Sequence, residues 1–170
     1  NKWIQKANFS GGSRRGAIGF SIGAKGYIGT GFNGSYLKDF WEWDQATDTW
    51  TQKANYPGSG IVEAVAFSIG GKGYVLSAPT GNDFWCFDPV ANSWTAKATF
   101  PGDARQAAVA FAIDIMGYIT TGTSGNPTTM NDLWEYNTVT DSWSPKTAFP
   151  GTFRHYACGF SIGSKGYLGT

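Results

Sequence analysis

Two arginines stand side by side at Arg14-Arg15, and the pattern returns as Arg105-Gln106 and Arg154-His155. Each pair lies eleven and twelve residues after a tryptophan, namely Trp3, Trp94 and Trp143. At the corresponding place after Trp50 the chain has Ile61 and Val62. Guanidinium groups brought together from several repeats would grip a carboxylate, sulfate or phosphate through forked, charge-assisted hydrogen bonds. Each arginine could instead bond loop carbonyls or a nearby carboxylate such as Asp103. His155 is the single histidine, and no carboxylate partner or nucleophile accompanies it in sequence, so it reads as a polar contact and not as a base.

The elements that must position these residues are repeats. Trp3, Trp50, Trp94 and Trp143 open units of 47, 44 and 49 residues and a shorter fourth. A lysine follows after three residues and an aromatic after six: Phe9, Tyr56, Phe100 and Phe149. Seventeen residues after each Trp stands Phe20, Phe67, Phe111 or Phe160. Seven further on, a Gly-Tyr pair ends at Tyr27, Tyr74, Tyr118 or Tyr167. A second tryptophan (Trp41, Trp85, Trp134) precedes the next unit by nine residues. Only the Tyr-to-Trp connection changes length, at 14, 11 and 16 residues, which places it in a surface loop. These segments, 31–38, 78–82 and 122–131, carry Tyr36 and Met130 as their larger side chains.

Each unit supplies four short strands. In Ala17-Ile18-Gly19-Phe20-Ser21-Ile22 bulky and small residues alternate, the period of a strand. A sheet with one bulky face and one bare face suits stacking on a copy of itself, as in a β-propeller. The strand from the opening Trp carries the repeated lysine, which suits an outer edge, because lysine blunts edge-to-edge pairing.

These residues together resemble the kelch repeat. Its carriers are the Gly-Tyr pair, the strands Asp39-Phe40-Trp41, Asp83-Phe84-Trp85 and Asp132-Leu133-Trp134, and the spaced closing tryptophan. The resemblance implies an all-β, kelch-type β-propeller of about three and a half four-stranded blades, with units 3–49, 50–93, 94–142 and a partial 143–170 forming one segment. It departs from the family at the end of the second strand, where Gly29-Thr30-Gly31 and its counterparts replace two adjacent glycines. It implies that ligands meet the face carrying the variable loops and the loops before each first strand. On that face stand Arg14, Arg15, Arg105, Gln106, Arg154, His155, Tyr36 and Met130. The copper site of the related galactose oxidase needs two histidines and cannot be built from one, and no metal or cofactor is expected.

Propellers close at about 4–8 blades, so an open arc would leave apolar sheet faces in water. The ring is therefore expected to close on further sequence of the same parent or on a second copy. Trp3 would open a lone fourth strand. With 13 Lys+Arg against 12 Asp+Glu, there is no electrostatic footprint for nucleic acid. No apolar run is long enough for a membrane helix. The low charge and abundant Gly, Thr and Asn point to an extracellular or surface setting. Cys86 and Cys158 read as free thiols, Cys158 at the core position shared with Ile18, Val65 and Val109. Asp39, Asp83 and Asp132 read as turn anchors. The expected function is a binding or interaction module for a protein or carbohydrate. Open alternatives are an acidic-glycan-binding face, a part of an enzyme whose catalytic residues lie outside this chain, and a structural assembly module.

Overall fold

The computed structural model describes residues 1–78, 81–125 and 128–169. All its named elements are strands, arranged in antiparallel meanders. The first sheet holds β1 (Ile18–Ile22), β2 (Lys25–Gly29), β3 (Phe40–Asp44) and β4 (Thr49–Lys53) in chain order. The second holds β5 (Val65–Ile69), β6 (Lys72–Leu76), β7 (Phe84–Asp88) and β8 (Ser93–Lys97). The third holds β9 (Val109–Ile113), β10 (Met116–Thr120), β13 (Leu133–Asn137) and β14 (Ser142–Lys146). A short hairpin, β11 (Thr123–Gly125) with β12 (Thr128–Thr129), decorates the longest variable connection and was not foreseen. The fourth sheet has β15 (Cys158–Ile162) and β16 (Lys165–Gly169). Parts of the variable connections, at 79–80 and 126–127, lie outside the described residues.

The register repeats from sheet to sheet. Phe20 faces Tyr27, which faces Glu42, which faces Thr51. Phe67, Tyr74, Cys86 and Thr95 form the same row. So do Phe111, Tyr118, Glu135 and Ser144. In the first row Glu42 gathers three donors: Lys25 Nζ at 2.6 Å, Tyr27 Oη at 2.6 Å and Lys53 Nζ at 3.7 Å. In the third row Glu135 accepts from Tyr118 Oη at 2.7 Å and Lys146 Nζ at 2.8 Å. The repeated lysine thus stands on the last strand of each four-stranded sheet; Lys53 and Lys146 are tied to the neighbouring strand, and Lys97 pairs with Asp141 of the next sheet.

β1, β5, β9 and β15 lie side by side and line an open-sided channel of about 230 Å³, walled mainly by small residues such as Ala17, Gly19, Ala64, Ala66, Ala108 and Gly159. The sheets stack bulky on bare. The ring of Phe20 fills the place a side chain would take on Gly73 of the next sheet. Phe67 does the same over Gly117, and Phe111 over Gly166. That accounts for the glycine before Tyr74, Tyr118 and Tyr167: any Cβ there would enter a neighbour's ring. Aromatic packing completes each layer. Phe40 meets Phe87 edge-on at 4.9 Å, and Phe84 meets Tyr136 in the same way at 4.7 Å.

The closing tryptophans clasp one sheet to the next at the rim. Trp94 Nε1 donates to the carbonyl of Ala54 at 2.9 Å, and the Ala54 amide donates to Asn92 Oδ1 at 2.9 Å. Trp143 and Asp141 hold Ala98 in the same way, and Trp50 and Asp48 hold Ala7. The segment around Trp3 is therefore docked at Ala7, but it forms no strand, because no described strand lies beside it to pair with. This corrects the expectation of a fourth strand there.

Cys158 is exposed, unlike Ile18, Val65 and Val109, because no sheet covers the outer side of β15–β16. Cys86 is the buried thiol. Phe160 (55% exposed) and Ile162 (63%) share the end face with Cys158.

Candidate functional site

The loop before each first strand meets the variable connection on one side of the channel. Arg15 forms an isolated bridge with Phe32, Gln106 with Thr123, and Met130 with Arg154. Backbone bonds tie these loops across sheets: the Gly31 amide reaches the Ile61 carbonyl at 2.7 Å, and the Gly122 amide reaches the Arg154 carbonyl at 2.9 Å. The face expected from the repeat arithmetic is thus assembled.

Arg14 and Arg105 do not turn toward the channel. Arg14 forks onto Asp39, with Nη1 and Nη2 each 2.7 Å from a carboxylate oxygen. Its Nη1 also bonds the Thr30 carbonyl, and its Nη2 the Gly11 carbonyl. Arg105 forks onto Asp132 at 2.5 and 2.8 Å and bonds the carbonyls of Thr121 and Asp103. Each guanidinium lies over an aromatic ring, Phe9 or Phe100, about 5 Å from its centre. Trp41 and Trp134 donate their indole N–H to the same aspartates at 2.6 and 2.7 Å. These aspartates are therefore not simple turn anchors; each joins an arginine to the inner tryptophan. The Arg105 side chain is fully buried. These two arginines are struts that fix the loops: of the two readings the sequence left open, bonding to loop carbonyls and a carboxylate holds for them, with Asp39 and Asp132 as the carboxylates.

The second sheet replaces the strut. Ile61 takes the arginine position and Tyr56 the phenylalanine position. The Tyr56 hydroxyl sits beside Gly58 in the place that Nη2 of Arg14 and of Arg105 holds beside Gly11 and Gly102. Both changes accompany one another, and Trp85 Nε1 is left buried without an acceptor.

The carboxyls of the struts respond to pH. Burial pushes the Asp39 and Asp132 carboxyls up, but the arginine and tryptophan bonds outweigh it and hold both below the usual carboxylate range. Glu42 and Glu135 are lowered too, burial again being outweighed by lysine and tyrosine donors. A lowered folded pKa stabilises above the unfolded value and is lost as pH falls through the folded one. The melting temperature should therefore be level from pH 7 to about 5 and drop below about pH 4, the ordinary carboxylate range. A melting curve still flat at pH 2.5 would contradict this.

Arg154 donates from Nε to the Thr152 carbonyl at 3.0 Å and from Nη2 to Thr152 Oγ1 at 3.1 Å, and lies over Phe149. Met130 is buried beneath this loop and is not a free contact. Tyr36 is exposed and packs edge-on against Phe32 at 5.3 Å.

The next residues along stand directly before the small ones that line the channel. Gly16, Glu63, Ala107 and Tyr156 are equivalent, thirteen residues after each Trp, and all four have left-handed backbone, with φ from 52° to 60°. Three of them are not glycine, so strain is held here. What holds it is a relay of backbone bonds from sheet to sheet. The Glu63 amide donates to Gly16 O at 2.8 Å, Ala107 to Glu63 O at 3.0 Å, and Tyr156 to Ala107 O at 2.9 Å. The neighbouring Glu63 carboxylate, with some burial, raises the Tyr156 pKa although Arg15 opposes. His155 lies 5.2 Å from the Tyr156 ring. Arg15 rests over Phe32 at 5.1 Å. Arg15, Gln106 and His155 are among the candidates read from the sequence; Glu63 and Tyr156 are additions from the structure. The signal was weak, since their shared backbone state is carried by four different residue types. Among the described residues no group of three His, Cys, Asp or Glu is placed to hold a metal ion.

No family model and no curated protein sequence matches the chain. Many solved structures share its fold, 173 chains in all. One is the structure of YjhT, which superposes with a TM-score of 0.82 at 16% identity over 94% of this chain. The fold is shared: an all-β protein of four-stranded antiparallel sheets, in an arrangement consistent with propeller blades. The matched region spans 59% of the YjhT chain.

Proposed function

We propose that this chain is part of a kelch-type β-propeller and serves as a binding module, taking a small polar or acidic ligand at the mouth of its central channel. An acidic glycan is the class that fits best. The observation that carries the reading is the set of side chains at two successive repeat positions, twelve and thirteen residues after each Trp, directly before the small residues that line the channel. They supply a cation (Arg15), a carboxylate (Glu63), an amide (Gln106), an imidazole (His155) and a phenol (Tyr156). Such a mixed set of donors and acceptors suits hydroxyls and a carboxylate on one molecule. The left-handed backbone and its relay of bonds pre-organise these side chains, which lowers the ordering cost of binding.

A glycan array followed by titration tests this. Arg15→Ala and His155→Ala should each weaken the best acidic glycan about tenfold, the loss of roughly one charge-assisted bond, with little change in melting temperature. Equal affinity in both variants would refute the site.

A second reading is favoured by the end faces. Phe160, Ile162 and Tyr167 are exposed at one end, and Gly26 at the other meets only Trp43 of its own sheet. Elsewhere a Phe at the first position always covers a Gly at the second. Further sheets, from the same parent chain or from a second copy, would complete this pairing and close the ring.

A further inference from the structure

The row Phe67–Tyr74–Cys86–Thr95 breaks a pattern kept by its neighbours. In the first and third sheets the third residue of the row is Glu42 or Glu135, and its carboxylate collects the tyrosine hydroxyl and one or two lysines. In the second sheet the donors remain. Lys72 corresponds to Lys25, Tyr74 to Tyr27 and Lys97 to Lys53. The carboxylate does not remain, because Cys86 stands in its place.

The shorter side chain leaves a cavity of about 310 Å³. It is lined by Lys72, Tyr74, Cys86, Lys97 and the side of β8 that carries Thr95. Tyr74 and the buried Cys86 stand opposite one another on adjoining strands and both line it. Thr138, from the turn of the next sheet, adds a hydroxyl at the wall. Two carboxylates already engage the lysines: Asp88, itself part of the lining, pairs with Lys72 at 2.9 Å, and Asp141 pairs with Lys97 at 3.6 Å. These pairings do not exclude a further anion. In the first sheet Lys25 contacts Asp44 at 3.6 Å while it bonds Glu42 at 2.6 Å.

We infer that this cavity is a binding site for a small carboxylate, whose oxygens take the place that Glu42 and Glu135 fill in the neighbouring sheets. Two ammonium groups and a phenol that line the cavity supply charge-assisted bonds, and the short thiol side chain supplies the room. The burial that raises the Cys86 thiol pKa keeps it neutral, so it adds no opposing charge. The site lies on the rim side of the sheet and is independent of the channel mouth.

Acetate is the probe. It is titrated at constant ionic strength against chloride, and the methyl resonances of Thr95 and Thr138 are followed. The wild-type chain should show saturable shifts with a half-point on the order of 1 mM, the range expected of a ligand of so few atoms. Cys86→Glu supplies the carboxylate from the protein itself; it should raise the melting temperature and abolish the acetate shifts. Lys97→Met keeps the cavity and should weaken acetate about tenfold. Shifts that fail to saturate in the wild type, or that persist unchanged in Cys86→Glu and Lys97→Met, would overturn the site.

Discussion

Arg105→Ala should destabilise the chain by about 3 kcal/mol, the low end for breaking a buried ion pair. For a chain of this size that is a fall of roughly 10 °C in melting temperature. The argument begins with burial. The Arg105 side chain has no exposed surface, while Asp132 is 40% exposed. Removing the guanidinium strands the Thr121 and Asp103 carbonyls, which lose their donor, and leaves Asp132 with only the Trp134 indole. Water reaches Asp132, which is why the cost falls at the low end of that range. Arg105→Lys should recover less than half, because one ammonium cannot make the fork and the carbonyl bonds together. Thermal unfolding of the variants checks both values; a loss below about 1 kcal/mol would show that the strut is only a surface pair.

Gly117→Ala should cost about 3 kcal/mol, the upper end for overpacking a well-filled core. The new methyl would enter the ring of Phe67, which is itself held between Tyr74 and Phe84 at 5.4 and 6.0 Å. Gly26 is the built-in control. It occupies the same repeat position, but an added Cβ would meet only Trp43 at 3.8 Å. Gly26→Ala should therefore be neutral or stabilise by about 0.5 kcal/mol, through the smaller entropy of the unfolded chain. Equal costs at Gly26 and Gly117 in denaturant melts would contradict inter-sheet packing as the reason for the Gly-Tyr pair.

The stacking was legible because it rests on residue size at fixed offsets. Seventeen residues from Trp to Phe and seven from Phe to Tyr recur in all four units. The outer-edge lysines were legible for the same reason. The partnership of Arg14 with Asp39 and of Arg105 with Asp132 was not, because it spans 25 and 27 residues across the one connection whose length varies. The sequence therefore leaves open both an anion clamp and bonds to loop carbonyls or a carboxylate, and Arg14 and Arg105 fold back onto their own sheets. Cys158 was misread because repeat position predicts burial only where a neighbouring sheet exists to provide it. Glu63 and Tyr156 escaped notice since a left-handed backbone held by hydrogen bonds from the adjoining sheet imposes no residue type. The missing carboxylate at Cys86 was visible in the repeat alignment, but its meaning depended on seeing which donors the other two sheets aim at that point.

The most direct test of the central claim is a nuclear Overhauser measurement between the Phe67 ring and the Gly117 Hα protons. Bulky-on-bare stacking of successive sheets predicts a strong cross-peak there and a matching one from Phe20 to Gly73, with the glycine protons shifted upfield by the rings. Glycine protons at ordinary shifts, with no cross-peak to the phenylalanine of the preceding repeat, would contradict it.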